Sequence, residues 1–413
     1  MDIFDKIDRS MGELGKYASQ GHGYFTFPKL EGEIQPRMQF RGKEVLCWSL
    51  NNYLGLANHP EVRQVDADAA ATWGLGYPMG SRMLTGNSNL HEKFEDEVSE
   101  FMGKEDSYLL NFGYQGMLSI IQSLTDRRDV IVYDQLAHAC IIDGMMLSLS
   151  KRFVYAHNDM AQLEDRLQKA SKITAQTGGG ILVITEGVFG MKGDLGRLDE
   201  IVKLKEKYSF RLFVDDAHGF GVMGANGRGT PEHFGVMDQV DVVFNTFAKS
   251  MALIGAFVSG DSKVINFLRY NMRSQIYAKS MPMPLVVGAL KRLELLRSQP
   301  ALRENLWKIV NAIQSGLRSR GFDIGITQSP VTPVYLKGGT EEAAKLIMDL
   351  RENHRIFVSV VTYPVVERGE LMLRIIPTAV HSLEDVEVTL NAFEAIRDNM
   401  QKGLYSGKVA SGS

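Results

Sequence analysis

Residues 211–260 read RLFVDDAHGFGVMGANGRGTPEHFGVMDQVDVVFNTFAKSMALIGAFVSG. The apolar run Leu212, Phe213, Val214 ends on two acids, Asp215 and Asp216, followed by Ala217, His218 and a glycine-rich turn. A second run, 241–244, leads into Asn245, Thr246, Phe247, Ala248, Lys249 and Ser250. Lys249 stands in a nearly uncharged stretch, 242–260, where an ammonium is costly to desolvate. Burial lowers a lysine pKa and makes the amine nucleophilic, which a Schiff base with a carbonyl compound requires. The alternative is two core strands with Lys249 snorkelling to the surface. That alternative leaves the pairing of D-x-A-H with T-F-x-K-S unexplained.

Pyridoxal phosphate (PLP) accounts for the whole set. Its pyridine nitrogen must stay protonated to act as an electron sink, so an acid belongs at a strand end, and Asp215 fits. Its aldehyde needs a lysine, Lys249. Its phosphate needs hydroxyl and N–H donors, and Thr246 and Ser250 flank the lysine. Together these residues resemble the α-oxoamine synthases, PLP enzymes of the aspartate-aminotransferase fold (fold type I), which condense an amino acid with an acyl-CoA and release carbon dioxide. The resemblance runs from about Tyr24 to Met400. It implies that Lys249 holds the cofactor and then takes the Cα proton, and that His218 hydrogen-bonds the phenolic oxygen.

Composition narrows the setting. The chain has 413 residues, is 44% hydrophobic, and carries a net charge of −3. That is ample for a large core and gives no nucleic-acid footprint. Cys47 and Cys140 are far apart and outside any metal-ligand spacing, which argues for a reducing, cytoplasmic compartment without a disulfide framework and without a metal site. The first residues, MDIFDKIDRSMGELGK, lack the apolar core of a signal peptide. Residues 241–260 are too polar for a membrane span.

Taken in order, residues 1–20 read as an amphipathic helix with Ile3, Phe4, Ile7 and Met11 on one face, broken by Gly21 to Gly23. Tyr24, Phe25, Phe27 and Pro28 form an aromatic patch expected to pack on the body of the protein or a second subunit. A peripheral contact with the inner face of a membrane is the alternative. A strand at 44–50 leads into NNYLGL, whose first residue, Asn51, is either near the substrate by resemblance or a turn former. In GLGYPMGSRMLTG, 74–86, Arg82 reads as a ligand contact or as a structural ion pair. The run LNFGYQG precedes a helix, and a glycine turn opening a helix presents free N–H groups to an anion. By resemblance, the amides of Gly113 and Tyr114 hold the phosphate there, with Phe112 standing where the family usually has Ser or Thr.

Strands are expected at 130–133, 153–155, 181–185, 212–215 and 241–244, with helices such as 160–170 and 198–207 between them. This alternation predicts a mostly parallel sheet covered on both faces, with ligands at the C-terminal strand ends. His138, in DQLAHACIIDG, matches the histidine that stacks on the cofactor ring. EGVFGMKGD, 186–194, matches a loop closing over the ring, with Gly190 in place of the usual serine. IYAKSMPMP, 276–284, matches a segment reaching the partner subunit's phosphate through Ser280, with Ala278 and Lys279 in place of small hydroxyl residues. After about residue 296 the pattern becomes a smaller α+β domain. It has strands at 331–336, 357–364 and 371–377 and helices at 341–354 and 383–400, the last opened by Ser382-x-x-Asp385. Arg374 matches the arginine that binds the substrate carboxylate. Residues 401–413 read as a polar tail.

The expected organisation is therefore an arm at 1–50, a PLP-binding domain at 51–295, and a small domain at 296–400. The expected assembly is a homodimer with interfacial active sites. Stretches such as HACIIDGMMLSLSK, GTPEHFG and INFLRYNMRS are most similar to bacterial serine palmitoyltransferases, which implies L-serine and a long-chain acyl-CoA giving 3-ketosphinganine. Glycine C-acetyltransferase, 8-amino-7-oxononanoate synthase, an aminotransferase and a catalytically silent partner subunit are the other readings.

Overall fold

The computed structural model describes residues 2–5, 7, 15, 21–363 and 366–406. Three short strands come first: β1 (Leu30–Glu31), β2 (Arg37–Phe40) and β3 (Lys43–Cys47). Helices α1 (Pro60–Trp73) and α2 (Asn89–Met102) lead to β4 (Asp106–Leu110) and α3 (Gly113–Leu124). The chain then alternates through β5 (Val130–Asp134), α4 (Ala139–Leu147), β6 (Lys151–Tyr155), α5 (Met160–Thr177), β7 (Ile181–Glu186), α6 (Leu198–Lys203), β8 (Arg211–Asp215) and β9 (Val242–Thr246). After β10 (Ala256–Gly260) come α7 (Ser262–Asn271), α8 (Met283–Ser298) and α9 (Ala301–Ser319). The chain closes with β11 (Thr332–Lys337), α10 (Thr340–Glu352), β12 (Ile356–Phe357), β13 (Ser359–Val361), β14 (Glu370–Ile375) and α11 (Leu383–Gln401).

Two compact units result. The larger comprises Leu50–Val334 and Ile375–Ser382. Its seven-stranded sheet has the order β4-β10-β9-β8-β7-β5-β6. Strands β5 to β9 run parallel, and β5, β7, β8 and β9 carry the near-continuous apolar runs of strands covered on both faces, while β6 is a largely exposed edge. Strand β10 is antiparallel to β9 and β4 on either side. Neither β4 nor β10 was among the expected strands: DSYLL opens on two polar residues, and AFVSG is short and ends on glycine. Buried Val183, Leu212, Val214, Val243 and Phe257 fill the core against helices that include α2 and α8. Residues 296–334, expected in the small domain, lie in this larger unit because α9 packs into its core. Leu306 and Val310 are fully buried there, and Trp307 Nε1 donates to Val222 O at 2.9 Å.

The smaller unit comprises Met1–Ser49, Tyr335–Arg374 and Leu383–Ser413. It holds the sheets β1-β2-β3-β12 and β11-β14-β13, the latter entered by β11 at the unit boundary. The strand expected at 357–364 is split, since β12 pairs with β3 and β13 with β14. Of the aromatic patch, Tyr24 packs within this unit, while Phe27 is 76% exposed. The Arg351 guanidinium lies over the rings of Tyr24, Phe40 and Phe357, at 5.1, 5.3 and 4.0 Å from their centroids, and Tyr24 O–H donates to Glu352. Met11 and most of the expected first helix lie outside the described residues. So does the tail beyond Ser406, although Tyr405, within the stretch read as tail, is buried and donates to Asp349. Among the described residues, no helix is long and apolar enough to cross a membrane.

Candidate active site

The C-terminal edge of the seven-stranded sheet delivers most of the residues singled out in the sequence to one place. Strand β8 ends on Asp215, which is 5% exposed and accepts the Ala217 N–H at 3.1 Å. Burial pushes its pKa up, and the charge of Lys249, the Ala217 N–H and the neighbouring His138 pull against that shift. Strand β7 ends beside it in register, Glu186 opposite Asp215. The Glu186 carboxyl is also buried, and burial followed by repulsion from Asp215 holds its pKa well above the usual range. Two carboxyls pushed up together beside a lysine and a histidine mark a site where charge is left for a ligand to complete.

Asp216, next in the chain, does a different job. Its oxygens accept Thr230 Oγ1 at 2.5 Å and Thr230 N at 2.7 Å. A side chain at Gly187, Gly219 or Gly229 would collide with it. Asp215 is therefore the site acid and Asp216 a bolt for the surrounding turns.

Lys249 sits on the tight connection between β9 and β10. Phe247 N donates to Gly255 O at 2.9 Å, Leu253 N to Phe247 O at 3.0 Å, and Ala252 N to Lys249 O at 3.0 Å. Gly255, at φ 131°, is required there, because a Cβ would lie 2.6 Å from the Phe247 ring. Phe247 itself is anchored in the core against Phe94 and Phe257. The expected burial of Lys249 is only partial: the residue is half-buried, at the open end of the sheet.

His138 is the N-cap of α4, and its Nδ1 accepts the Cys140 N–H at 3.2 Å. The proton of a neutral ring is thereby placed on Nε2. The ring is exposed, 6.3 Å from that of Tyr114, whose O–H donates to Asp143. His218 Nδ1 lies 2.8 Å from Tyr53 O–H, and its Nε2 stands 2.3 Å from where a Gly190 Cβ would be. Glycine at 190 is thus what lets His218 approach that loop.

The residues present fit the phosphate end of PLP. Helix α3 opens at Gly113 behind Phe112, with no side chain capping its first turn. A Cβ on Gly113 would be 3.0 Å from Thr246 Oγ1, so the bare backbone brings the helix N-terminus against that hydroxyl. Asn111 Nδ2 donates to Lys279 O at 2.6 Å, which ties the 276–284 segment to the same corner. Ser280 Oγ is buried without a hydrogen-bond partner, and so are Ser250 Oγ and Asn51 Oδ1. Ser250 Oγ, however, packs on the Gly221 turn. The turn role weighed for Asn51 falls to Asn52, which accepts Ala57 N–H at 3.1 Å.

Arg82 makes a bidentate pair with buried Glu95 at 2.8 and 3.0 Å, which is the structural reading of that residue. Arg374 is on β14 in the smaller unit, opposite Ser359. The sequence reading missed Glu186 and Tyr53 as site residues. Both open or sit within motifs it had marked, but their roles depend on strand register and loop packing.

Comparison with known proteins places these findings. The profile of the aminotransferase class I and II family matches residues 43–393. The cysteate-C-fatty acyltransferase of Capnocytophaga ochracea is 57% identical over 404 residues, covering 98% of this chain and 96% of that protein. The serine palmitoyltransferase of Sphingobacterium spiritivorum is 37% identical over 364 residues, covering 88% and 89%. Among solved structures, the serine palmitoyltransferase of Sphingomonas wittichii superposes with a TM-score of 0.90 at 30% identity, covering 98% of this chain and 100% of that one.

Proposed function

The chain belongs to the aminotransferase class I and II family and within it to the α-oxoamine synthases, and on that premise we propose that it joins cysteate to a long-chain fatty acyl thioester. It is a PLP-dependent acyltransferase that works by condensation. The cysteate reading rests on one observation, the 57% identity to a cysteate-C-fatty acyltransferase across nearly the full length of both chains. The Cα of the amino acid forms a bond to the acyl carbon, the thiol leaves, and the carboxylate departs as carbon dioxide. The product is a β-keto amine that keeps the sulfonate.

When bound, PLP supplies a carbonyl for the Lys249 amine and an electron sink for charge at the amino acid's Cα. The chain's own residues do the rest. Asp215 holds a proton at the ring nitrogen, and the neighbouring Glu186 carboxyl raises the affinity of the pair for protons. Lys249 Nζ accepts the Cα proton and returns it at the end. His138 would cover the ring, and His218, steadied by Tyr53, would donate to the phenolic oxygen. The Gly113 and Tyr114 amides, Thr246 and Ser280 would hold the phosphate. Asn51 lies near the amino acid, and Arg374 takes its carboxylate.

The second reading keeps L-serine and palmitoyl-CoA, giving 3-ketosphinganine. It is supported by the likeness to serine palmitoyltransferases in sequence and fold. A homodimer agrees with the exposed apolar side chains of Leu75, Met79, Leu84, Met146, Leu149 and Tyr277.

The deciding experiment offers cysteate, L-serine and glycine to the purified enzyme, each with short and long acyl-CoAs, and follows thiol release. Cysteate with a long chain should give the highest kcat/KM. Release with serine and none with cysteate would replace the first reading by the second. In either case Arg374→Ala should raise the amino-acid KM roughly ten- to a hundredfold, as loss of a charge-assisted pair predicts, and leave the acyl-CoA KM nearly unchanged.

A further inference from the structure

His157 follows β6 and precedes Asp159, the N-cap of α5. Its Nδ1 is 3.0 Å from Asp134 Oδ1 and its Nε2 is 2.6 Å from Asp194 Oδ2. A ring with a carboxylate on each nitrogen donates twice, so it is an imidazolium. The two carboxylates belong to the bases of two different site loops. Asp134 ends β5 and accepts Leu136 N–H at 2.8 Å and Asn158 N–H at 3.0 Å, at the start of the turn that ends on His138. Asp194 closes the 187–195 loop, where Phe189 N donates to Asp194 O at 3.0 Å and Gly193 N to Phe189 O at 2.8 Å. That loop carries Gly190, the residue against His218 Nε2. The His157 ring also packs edge-on against Phe189, centroids 4.4 Å apart.

We infer that His157 is a positioning residue for the active site: hydrogen-bonded on both nitrogens, it fastens the 187–195 loop, and through it His218, to the strand end that presents His138. The inference rests on reading this edge of the sheet as the PLP site, but not on the identity of the amino acid.

Asp194 is 4% exposed and its Oδ1 has no hydrogen-bond partner, so its charge is offset through His157. Burial works against the imidazolium, but the hydrogen bonds to Asp134 and Asp194 override it and raise its pKa to about 9. From other elements, Tyr155 of β6 and Glu186 of β7 face Asp134, and burial pushes both of their pKa values up. A histidine pKa raised on folding contributes fully below its ordinary value of 6.5 and is lost as pH rises through about 9. The clamp is therefore closed at neutral pH and opens on the alkaline side.

The test is hydrogen exchange of the holoenzyme, followed on the bonded amides of Gly187, Phe189, Gly193 and Gly196 and corrected for intrinsic rates between pH 7.5 and 10. Wild type should lose at least tenfold protection across that range, and thiol release should fall along the same limb. His157→Gln should be at least tenfold less protected at pH 7.5 and flat thereafter. Asp194→Asn, which keeps the ring but removes one charge, should move the wild-type transition to lower pH. Unchanged wild-type protection from pH 7.5 to 10 overturns the inference, even if His157→Gln does not fold. Wild-type protection in a folded His157→Gln overturns it as well. Loss of turnover with any one amino acid, without a change in exchange, speaks only to the substrate.

Discussion

The two ends of the seven-stranded sheet treat acids in opposite ways. At the N-terminal end of β9, Asp241 meets Lys205 at 2.5 Å and Arg211 at 2.6 Å and accepts Leu212 N–H at 2.8 Å. Burial opposes its charge, but these partners hold its pKa below the ordinary value. At the C-terminal end of β8, Asp215 and Glu186 are buried side by side and both are pushed up. The residue types are alike and so is the sheet. What differs is whether the fold completes the charge itself or leaves it for a ligand, and that difference separates scaffold from site.

The largest effect expected from this contrast is at Lys249. Lys249→Ala removes both the anchor for the cofactor carbonyl and the base at Cα, so thiol release should fall on the order of 10³-fold or more. Residual turnover near wild type would move the chemistry away from this edge of the sheet. Next come the two aspartates as a matched pair. Asp215→Asn cannot keep a proton on the ring nitrogen and should cut kcat about 10²-fold or more while the protein stays folded. Asp241→Asn should leave kcat unchanged and cost about 1–3 kcal/mol of stability in urea unfolding, from lost charged hydrogen bonds. If the two variants behave alike, the contrast between the ends carries no functional meaning.

The smallest effect concerns Gly190. In Gly190→Ser the new Cβ would press on His218 Nε2, so the imidazole must swing away. We expect roughly a tenfold loss of kcat/KM and a shifted absorption maximum of the bound cofactor, with little change in stability. An unchanged spectrum would mean that His218 does not touch the phenolic oxygen.

Much of the parallel core was legible because buried parallel strands are written as unbroken apolar runs, as in 181–184 and 212–214. Strands β4 and β10 were not, since each is short and partly polar and finds its place only by antiparallel pairing. Asp215, Lys249, His138 and His218 could be singled out because their chemistry is carried by residue type at fixed spacing. Arg82 was legible only as a choice between two roles, and its Glu95 partner decides between them. Glu186 depends on register with Asp215, and His157 on two carboxylates brought from 23 and 37 residues away, neither of which a linear pattern reveals. The limit placed near 296 missed that α9 is amphipathic toward the larger core, because an amphipathic helix does not say which core it covers.

The antiparallel strand β10 has a consequence for how the enzyme comes into being. Leu110, just ahead of the turn at Gly113, pairs with Ala256, and Ala256 pairs in turn with Thr246. The turn made earliest in the chain is thus locked beside Thr246 and Lys249 only when a segment nearly 150 residues later returns to fill the gap between β4 and β9. Such distant closure is slow, because loop entropy is lost before any contact repays it. The corner of Gly113 and Thr246 is consequently expected to order late in folding. A chain truncated before β10 should therefore keep Lys249 and the start of α3 but lose the strand that pairs Leu110 and Thr246 with Ala256.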